Sequence, residues 1–168
     1  MNGAAPLRSA RLDIEPVRAA LANEAWPQLD DERLWRYFPS QRPATLGDLQ
    51  RLYEKWERGS AHASQVWCNW LCRERSSAHL VASMQATVFP HEAVSYVAYM
   101  VFARYQRKGY AREATQAVIA YVRDTYAVRT FFAEMDKRNE PSYRLAESLG
   151  FKRAKRHDPD EYVYKLQL

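Results

Sequence analysis

The chain has 168 residues, 47% hydrophobic and 27% charged, a balance that suits one globular domain spanning residues 1–168 and excludes a disordered tail. Lys and Arg number 25 against 20 Asp and Glu, a net charge of +5. That sign favours an anionic ligand, but the basic residues are scattered apart from Arg104 to Arg112 and Lys152 to Arg156, and no recognition helix, zinc-finger or RNP pattern argues for nucleic acid as the main partner.

No run is apolar and long enough to span a bilayer, and Met1 to Arg8 shows no apolar segment with a cleavage site. A cytoplasmic protein without a membrane partner is therefore expected. Cys68 and Cys72 stand four apart, a spacing that suits neither a zinc nor a redox motif, so reduced core thiols and no metal are expected.

In chain order, Leu7 to Glu15 is predicted as a strand, with Pro16 opening a short helix through Ala22. A small helical segment follows at Asp31 to Phe38, stopped by Pro39. The helix after Thr45 places Leu49, Leu52, Tyr53 and Trp56 on one stripe and ends at Gly59. Strands at Gln65–Arg73, His79–Phe89 and Ala93–Phe102 suit an antiparallel meander. Then come a helix over Gly109–Tyr126, a strand over Arg129–Met135, a helix over Glu140–Leu149, and strands at Phe151–Lys155 and Tyr162–Gln167. An α+β fold is expected, with a mixed, mostly antiparallel sheet flanked by helices.

The most informative stretch is Gln106-Arg107-Lys108-Gly109-Tyr110-Ala111, which joins an apolar strand to the helix opening at Arg112. A helix N-terminus presents unpaired N–H groups and the positive end of the dipole, so a phosphate gains hydrogen bonds and favourable electrostatics there. Gly109 and Ala111 lack the bulk that would keep a ligand from the main chain. One glycine is too few for a P-loop or a dinucleotide fingerprint.

The stretch resembles the acyl-CoA pyrophosphate loop of the GNAT superfamily of N-acyltransferases: Gln or Arg, two variable residues, Gly, one variable residue, then Gly or Ala. Further on, Asn139-Glu140-Pro141-Ser142-Tyr143-Arg144, running to Leu149-Gly150-Phe151, resembles that superfamily's second signature. Ser142 and Arg144 bring it nearest to the branch of ribosomal-protein N-terminal acetyltransferases. The chain departs from the pattern at Ala146, where many members carry a tyrosine acid, at Arg107, where the branch usually has Gly, and at Ser148, where Lys is common.

The resemblance implies a direct transfer, in a ternary complex, of the acetyl group of acetyl-CoA to a primary amine of a peptide or small molecule. It gives Gln106, Arg107, Lys108, Gly109, Tyr110, Ala111 and Arg112 to the diphosphate, and Asn139, Ser142 and Arg144 to the cofactor arm. The strand segment Tyr99, Met100, Val101 and Phe102 would pair with that arm where it splays from its neighbour.

Such a transfer needs a neutral amine, a stabilised oxyanion and a protonated leaving thiolate. Ser142 is the candidate at the sulfur. Glu134, on the strand before Asn139, is the candidate base, Glu92, at the turn before the central strand, is the other carboxylate well placed by sequence order, and His157 reads as part of a turn. Tyr99 and Trp35 are acceptor-site candidates, and Trp26, Tyr37 and Phe38 share the same aromatic segment. Tyr96 reads equally as a face residue of its strand, and Asn139 and Ser142 equally as helix caps. An antibiotic-modifying acyltransferase and a non-catalytic acyl-CoA-binding module are the alternatives, and a homodimer is compatible with either.

Overall fold

The computed structural model describes residues 3–38, 41–155 and 160–168; His157 and Arg156 lie outside them. Among the described residues eight strands form one sheet: β1 (Leu7–Arg8), β2 (Leu12–Pro16), β3 (Val66–Glu74), β4 (Leu80–Phe89), β5 (Val94–Val101), β6 (Thr130–Asp136), β7 (Lys152–Arg153) and β8 (Glu161–Gln167). Their order across the sheet is β1-β2-β3-β4-β5-β6-β8-β7. Only β5 and β6 run parallel; the others pair antiparallel, giving the expected mixed sheet.

Helices cover both faces. Alternation along β3 sends Cys68, Trp70 and Cys72 into a core beneath α3 (Tyr110–Tyr126) and α4 (Glu140–Ser148), with Tyr110, Ala114, Val118 and Ala146 in the same cluster. Leu71 faces the other way, into a second core with Ala22, Ala25 and Leu29 of α1 (Ala22–Leu29) and Leu49 and Tyr53 of α2 (Leu46–Arg58). Arg73 ties α1 to the sheet by pairing Glu24 and, at 2.8 Å, Glu15. Among the described residues no helix is long and apolar enough to cross a membrane.

The N-terminal expectations are corrected at three points. Leu7 to Glu15 is a hairpin, because the Ser9 hydroxyl accepts the Leu12 N–H at 3.2 Å and turns the chain there, pairing Leu7 with Ile14. Pro16 ends β2 opposite Trp70, so α1 begins only at Ala22. Asp31 to Phe38 holds a 3₁₀ turn over Glu32–Trp35, with Asp31 accepting from Arg33 N at 3.0 Å. By contrast, Thr45 caps α2 through the Asp48 N–H and Gly59 closes it at φ 81°, both as the sequence predicts.

Phe102 also differs from expectation. It is 0% exposed and belongs to the core under α1 and α2, and its N–H donates to the Val81 carbonyl at 2.9 Å, so neither its ring nor its N–H is offered to a ligand. Phe102→Ala should therefore cost about 3–5 kcal/mol, or on the order of 10 °C in thermal midpoint. A thermal melt unchanged within about 2 °C would show that the ring does not support this core.

Candidate functional site

The site begins where two strands part. β5 pairs with β4 along its whole length, Val94 to Val101, but meets β6 only from Val94 to Tyr96, opposite Thr130 to Phe132. Beyond Tyr96 the strands diverge. Main-chain groups of a strand point alternately to its two sides. With Phe102 N–H directed at β4, the N–H and C=O groups of Val97, Tyr99 and Val101 face the gap, while those of Met100 face β4. The Gln106 amide already reaches the Val101 carbonyl at 3.1 Å.

The first turn of α4 closes one side of this gap. Asn139 caps the helix, its Oδ1 accepting the Ser142 N–H at 3.3 Å. The Tyr99 hydroxyl donates to the Ser142 carbonyl at 2.8 Å, and Ser142 Oγ donates to the Tyr99 oxygen at 3.2 Å. Burial pushes the Tyr99 phenol above its ordinary pKa, against a smaller lowering by the Ser142 bond, so it stays protonated at neutral pH.

From β5 the chain passes through a 3₁₀ turn at Ala103–Tyr105 and enters α3 at Gly109. Gly109 sits at φ 83° and Arg107 at φ 62°. Both lie in the left-handed region that disfavours a side chain. This gives a conformational reason for the glycine that similar loops carry at the place of Arg107. The N–H groups of Tyr110, Ala111 and Arg112 have no acceptor one turn back in the helix.

A brace from the N-terminal hairpin holds the loop, and sequence reasoning missed it. Ser9 Oγ and Arg11 N both donate to Glu113 Oε1 at 2.6 Å, and Arg11 Nε donates to Oε2 at 2.8 Å. Arg11 Nη1 also reaches the Lys108 carbonyl at 3.1 Å, with the guanidinium 4.6 Å from the Tyr110 ring centre. Tyr110 in turn bonds Glu74 through its hydroxyl. Partners about a hundred positions apart leave no local signal.

Two cavities meet at the gap. One, about 330 Å³, is lined by Met100, Val101, Gln106, Arg107, Gly109, Tyr110, Ala111, Arg112, Asn139 and Ser142. Lys108 lies over the Tyr105 ring and Arg144 pairs with Glu140 on the exposed side of α4; neither lines either of these two cavities, and neither does Phe102. The other, about 460 Å³, opens under α2. Tyr37, Phe38, Tyr99, Met100, Asn139 and Ser142 line both.

Trp35 lines the larger cavity, although it is 7% exposed and its Nε1 is bound to the Leu29 carbonyl at 2.8 Å; pocket wall and core residue are the same residue here. Trp26 packs against the core at α1. Glu134, Asp136 and Glu161 bring carboxylates to the rim on β6 and β8. Hydrogen bonds from Arg138 hold the Asp136 carboxyl down at about 2. Glu92 lies in a 3₁₀ turn before β5, at the end away from the gap, and Tyr96 stacks on Phe132 at 5.3 Å; both stand outside the cavities.

A divergent parallel pair, a left-handed loop on a helix N-terminus and a capped helix across the gap coincide with a sequence match. Residues 11–152 match the acetyltransferase (GNAT) domain family. The chain belongs to that family. Its GNAT fold recurs in solved structures: the GNAT-family acetyltransferase from Bacillus anthracis superposes with a TM-score of 0.80 at 23% identity, covering 97% of this chain and 98% of that one. The ribosomal-protein-S5-alanine acetyltransferase from Vibrio fischeri gives 0.75 at 16% identity, covering 97% and 96%. The microcin C7 self-immunity acetyltransferase MccE, in complex with acetyl-CoA and AMP, gives 0.78 at 13% identity, covering 95% and 93%. At these identities the likeness is one of fold. Among curated proteins none matches the sequence.

The brace makes a testable statement about pH. Burial raises the Glu113 carboxyl, but Ser9 and Arg11 outweigh it and leave the pKa below its ordinary 4.5. Stability from this group is thus present above that value and lost as pH falls through the lowered folded pKa. Glu113→Gln should lower stability at pH 7 by about 1–2 kcal/mol, and its thermal midpoint should converge on that of the unchanged protein as the pH falls below the lowered folded pKa. A deficit independent of pH would assign the effect to shape rather than charge.

Proposed function

We propose that this GNAT domain transfers the acetyl group of acetyl-CoA to a primary amine, the donor entering along the α3 loop and the acceptor from beneath α2. The observation that carries this reading is the meeting of the two cavities at Tyr99, Met100, Asn139 and Ser142. Acetyl-CoA supplies an acetyl group activated as a thioester.

The residues present fit such a donor. The free first-turn N–H groups of α3, with Arg107 and Arg112, suit a diphosphate, and Gly109 keeps the main chain accessible. The main-chain groups of Val97, Tyr99 and Val101 that face the gap suit an amide-bearing arm, and Asn139 adds its side chain from α4. Tyr99 and Ser142 form a protonated hydroxyl pair at the junction and are the groups placed to give a hydrogen bond or a proton where a thiolate leaves. Tyr99 thereby takes the part left open by Ala146.

At the acceptor end the base is Glu134, on the rim of the larger cavity. Asp136, held near 2, is too weak a base for an amine proton. The buried free thiols Cys68 and Cys72 are in keeping with a reducing, cytoplasmic setting.

Release of free thiol from acetyl-CoA in the presence of an amine panel tests the reaction. Acetyl-CoA binding with no turnover on any amine would favour the binding-module alternative. Gly109→Val should weaken acetyl-CoA binding at least tenfold, roughly 1.4 kcal/mol, and calorimetry on a folded variant with unchanged affinity would sink the loop assignment. Ser142→Ala and Tyr99→Phe should each lower kcat by more than about tenfold while acetyl-CoA affinity barely changes, the mark of an interaction made in the transition state. Lost affinity at constant kcat would make the pair a binding contact instead.

A further inference from the structure

One peptide unit of the loop before α3 decides how well it receives an anion. In a planar trans peptide the C=O and the following N–H point in opposite directions, so the direction of the Lys108 carbonyl fixes that of the Gly109 N–H. Arg11 Nη1 holds this carbonyl at 3.1 Å. Gly109 lines the smaller cavity, and Arg11 lines neither of the two. A carbonyl drawn toward Arg11, behind the loop, turns the Gly109 N–H toward the cavity, where it joins the first-turn N–H groups of α3.

Glycine also makes the opposite arrangement accessible. Gly109 is at φ 83°, and flipping the Lys108–Gly109 peptide changes mainly the Lys108 ψ and the Gly109 φ, which in glycine takes either sign at little cost. The flipped loop would aim a carbonyl oxygen at the ligand and repel a diphosphate. Arg11 opposes that flip from outside the loop.

Arg11 is itself fixed at both its main chain and its guanidinium. Its N–H donates to Glu113 Oε1 at 2.6 Å, its C=O accepts the Arg75 N–H at 3.0 Å, and its Nε donates to Glu113 Oε2 at 2.8 Å. Arg75 also holds the hairpin through the Ser9 and Leu12 carbonyls, at 2.8 and 3.1 Å. The guanidinium stands 4.6 Å from the Tyr110 ring centre, and a Cβ on Gly109 would lie 3.4 Å from Nη2. Tyr110 is anchored in turn at Glu74, whose other oxygen accepts the Ser77 hydroxyl at 2.7 Å. A planar fork held this firmly can set the orientation of the main chain beside it.

Resting on the acyltransferase reading above, we infer that Arg11 is a positioning residue for the donor: it keeps the Lys108–Gly109 peptide in the orientation that offers its N–H to the diphosphate, without touching the ligand. A ligand that binds one of two loop states loses apparent affinity as the population of that state falls. Arg11 thus governs acetyl-CoA affinity and leaves the chemical step alone.

Calorimetry of acetyl-CoA binding tests this. Arg11→Ala should weaken binding by about tenfold. Arg11→Lys keeps the charge beside Glu113 but lacks the fork that reaches carboxylate and carbonyl together, so it should weaken binding by at least about threefold. Its thermal midpoint should stay within about 2 °C of the unchanged protein, and kcat at saturating acetyl-CoA should hold in both variants. S-acetylpantetheine, an acyl donor without a diphosphate, should bind both variants as it binds the unchanged protein. The salt dependence of acetyl-CoA affinity should keep its slope, because no charge that touches phosphate has been removed. Arg8→Ala, which removes a 73% exposed arginine from the same hairpin, should bind acetyl-CoA normally.

Acetyl-CoA affinity within about twofold of the unchanged protein in both Arg11 variants overturns the inference. So do a matching loss for S-acetylpantetheine, which would make Arg11 a support of the whole site, and a flattened salt dependence, which would place it on the phosphate. An equal loss in Arg8→Ala would assign the effect to net charge and overturn it as well. Failure of the unchanged protein to bind acetyl-CoA would instead remove the acyltransferase reading, and this inference with it.

Discussion

The parting of β5 from β6 is the constraint on which the rest depends. A central strand normally spends its N–H and C=O groups on both neighbours, and exposing them without partners costs stability. Here the pairing stops after Tyr96, leaving one side of Val97, Tyr99 and Val101 turned to an open gap. The structure tolerates this because β5 keeps its full ladder with β4 and because Tyr99 is tied across the gap to Ser142 of α4. The opening is therefore held at a set width, joining a loop that suits anions on one side to an aromatic cavity on the other.

The loop carries its own strain. Two left-handed residues in three, one of them an arginine, are an unfavourable way to enter a helix. The brace from the N-terminal hairpin offsets this: the Glu113 carboxylate gathers bonds from Ser9 and Arg11, while Arg11 also reaches the Lys108 carbonyl. A carboxylate in the first helical turn complements the dipole, but left unpaired it would also repel an anion at the loop. Pairing it with Arg11 keeps the structural benefit and neutralises the repulsion. The chain's first hairpin is in this sense part of the donor side.

The larger cavity shows a different balance. One face of β4 is apolar and packed, and the other is polar although α2 covers it. Ordinary core packing would fill that space with branched side chains. Ser83, Gln85 and the exposed Ala98 leave it open, while Trp35 stays fixed by its bond to the Leu29 carbonyl. Aromatic walls locked by packing favour a preformed pocket over one that must be assembled.

What the sequence by itself determined is the part whose physics is local. Gly109 before a helix, Asn139 as a cap, Thr45 with Asp48, and the alternation in Leu80–Phe89 act between residues a few positions apart, so the anion-suited loop, α2, α3, α4 and the mixed sheet were legible. The resemblance carried by Gln106 to Ala111 and Asn139 to Phe151 reached the family for the same reason. The tertiary structure alone decided the rest. Phe102 ends an apolar run that reads as one strand, and only the register with Val81 shows that it faces the core. Pro16 is compatible with a helix start until Trp70 pairs with it. The partnership of Arg11 with Glu113, and of Tyr99 with Ser142, depends on where distant segments come to rest, because burial and hydrogen bonding across a sheet are set by packing in space and not by spacing along the chain.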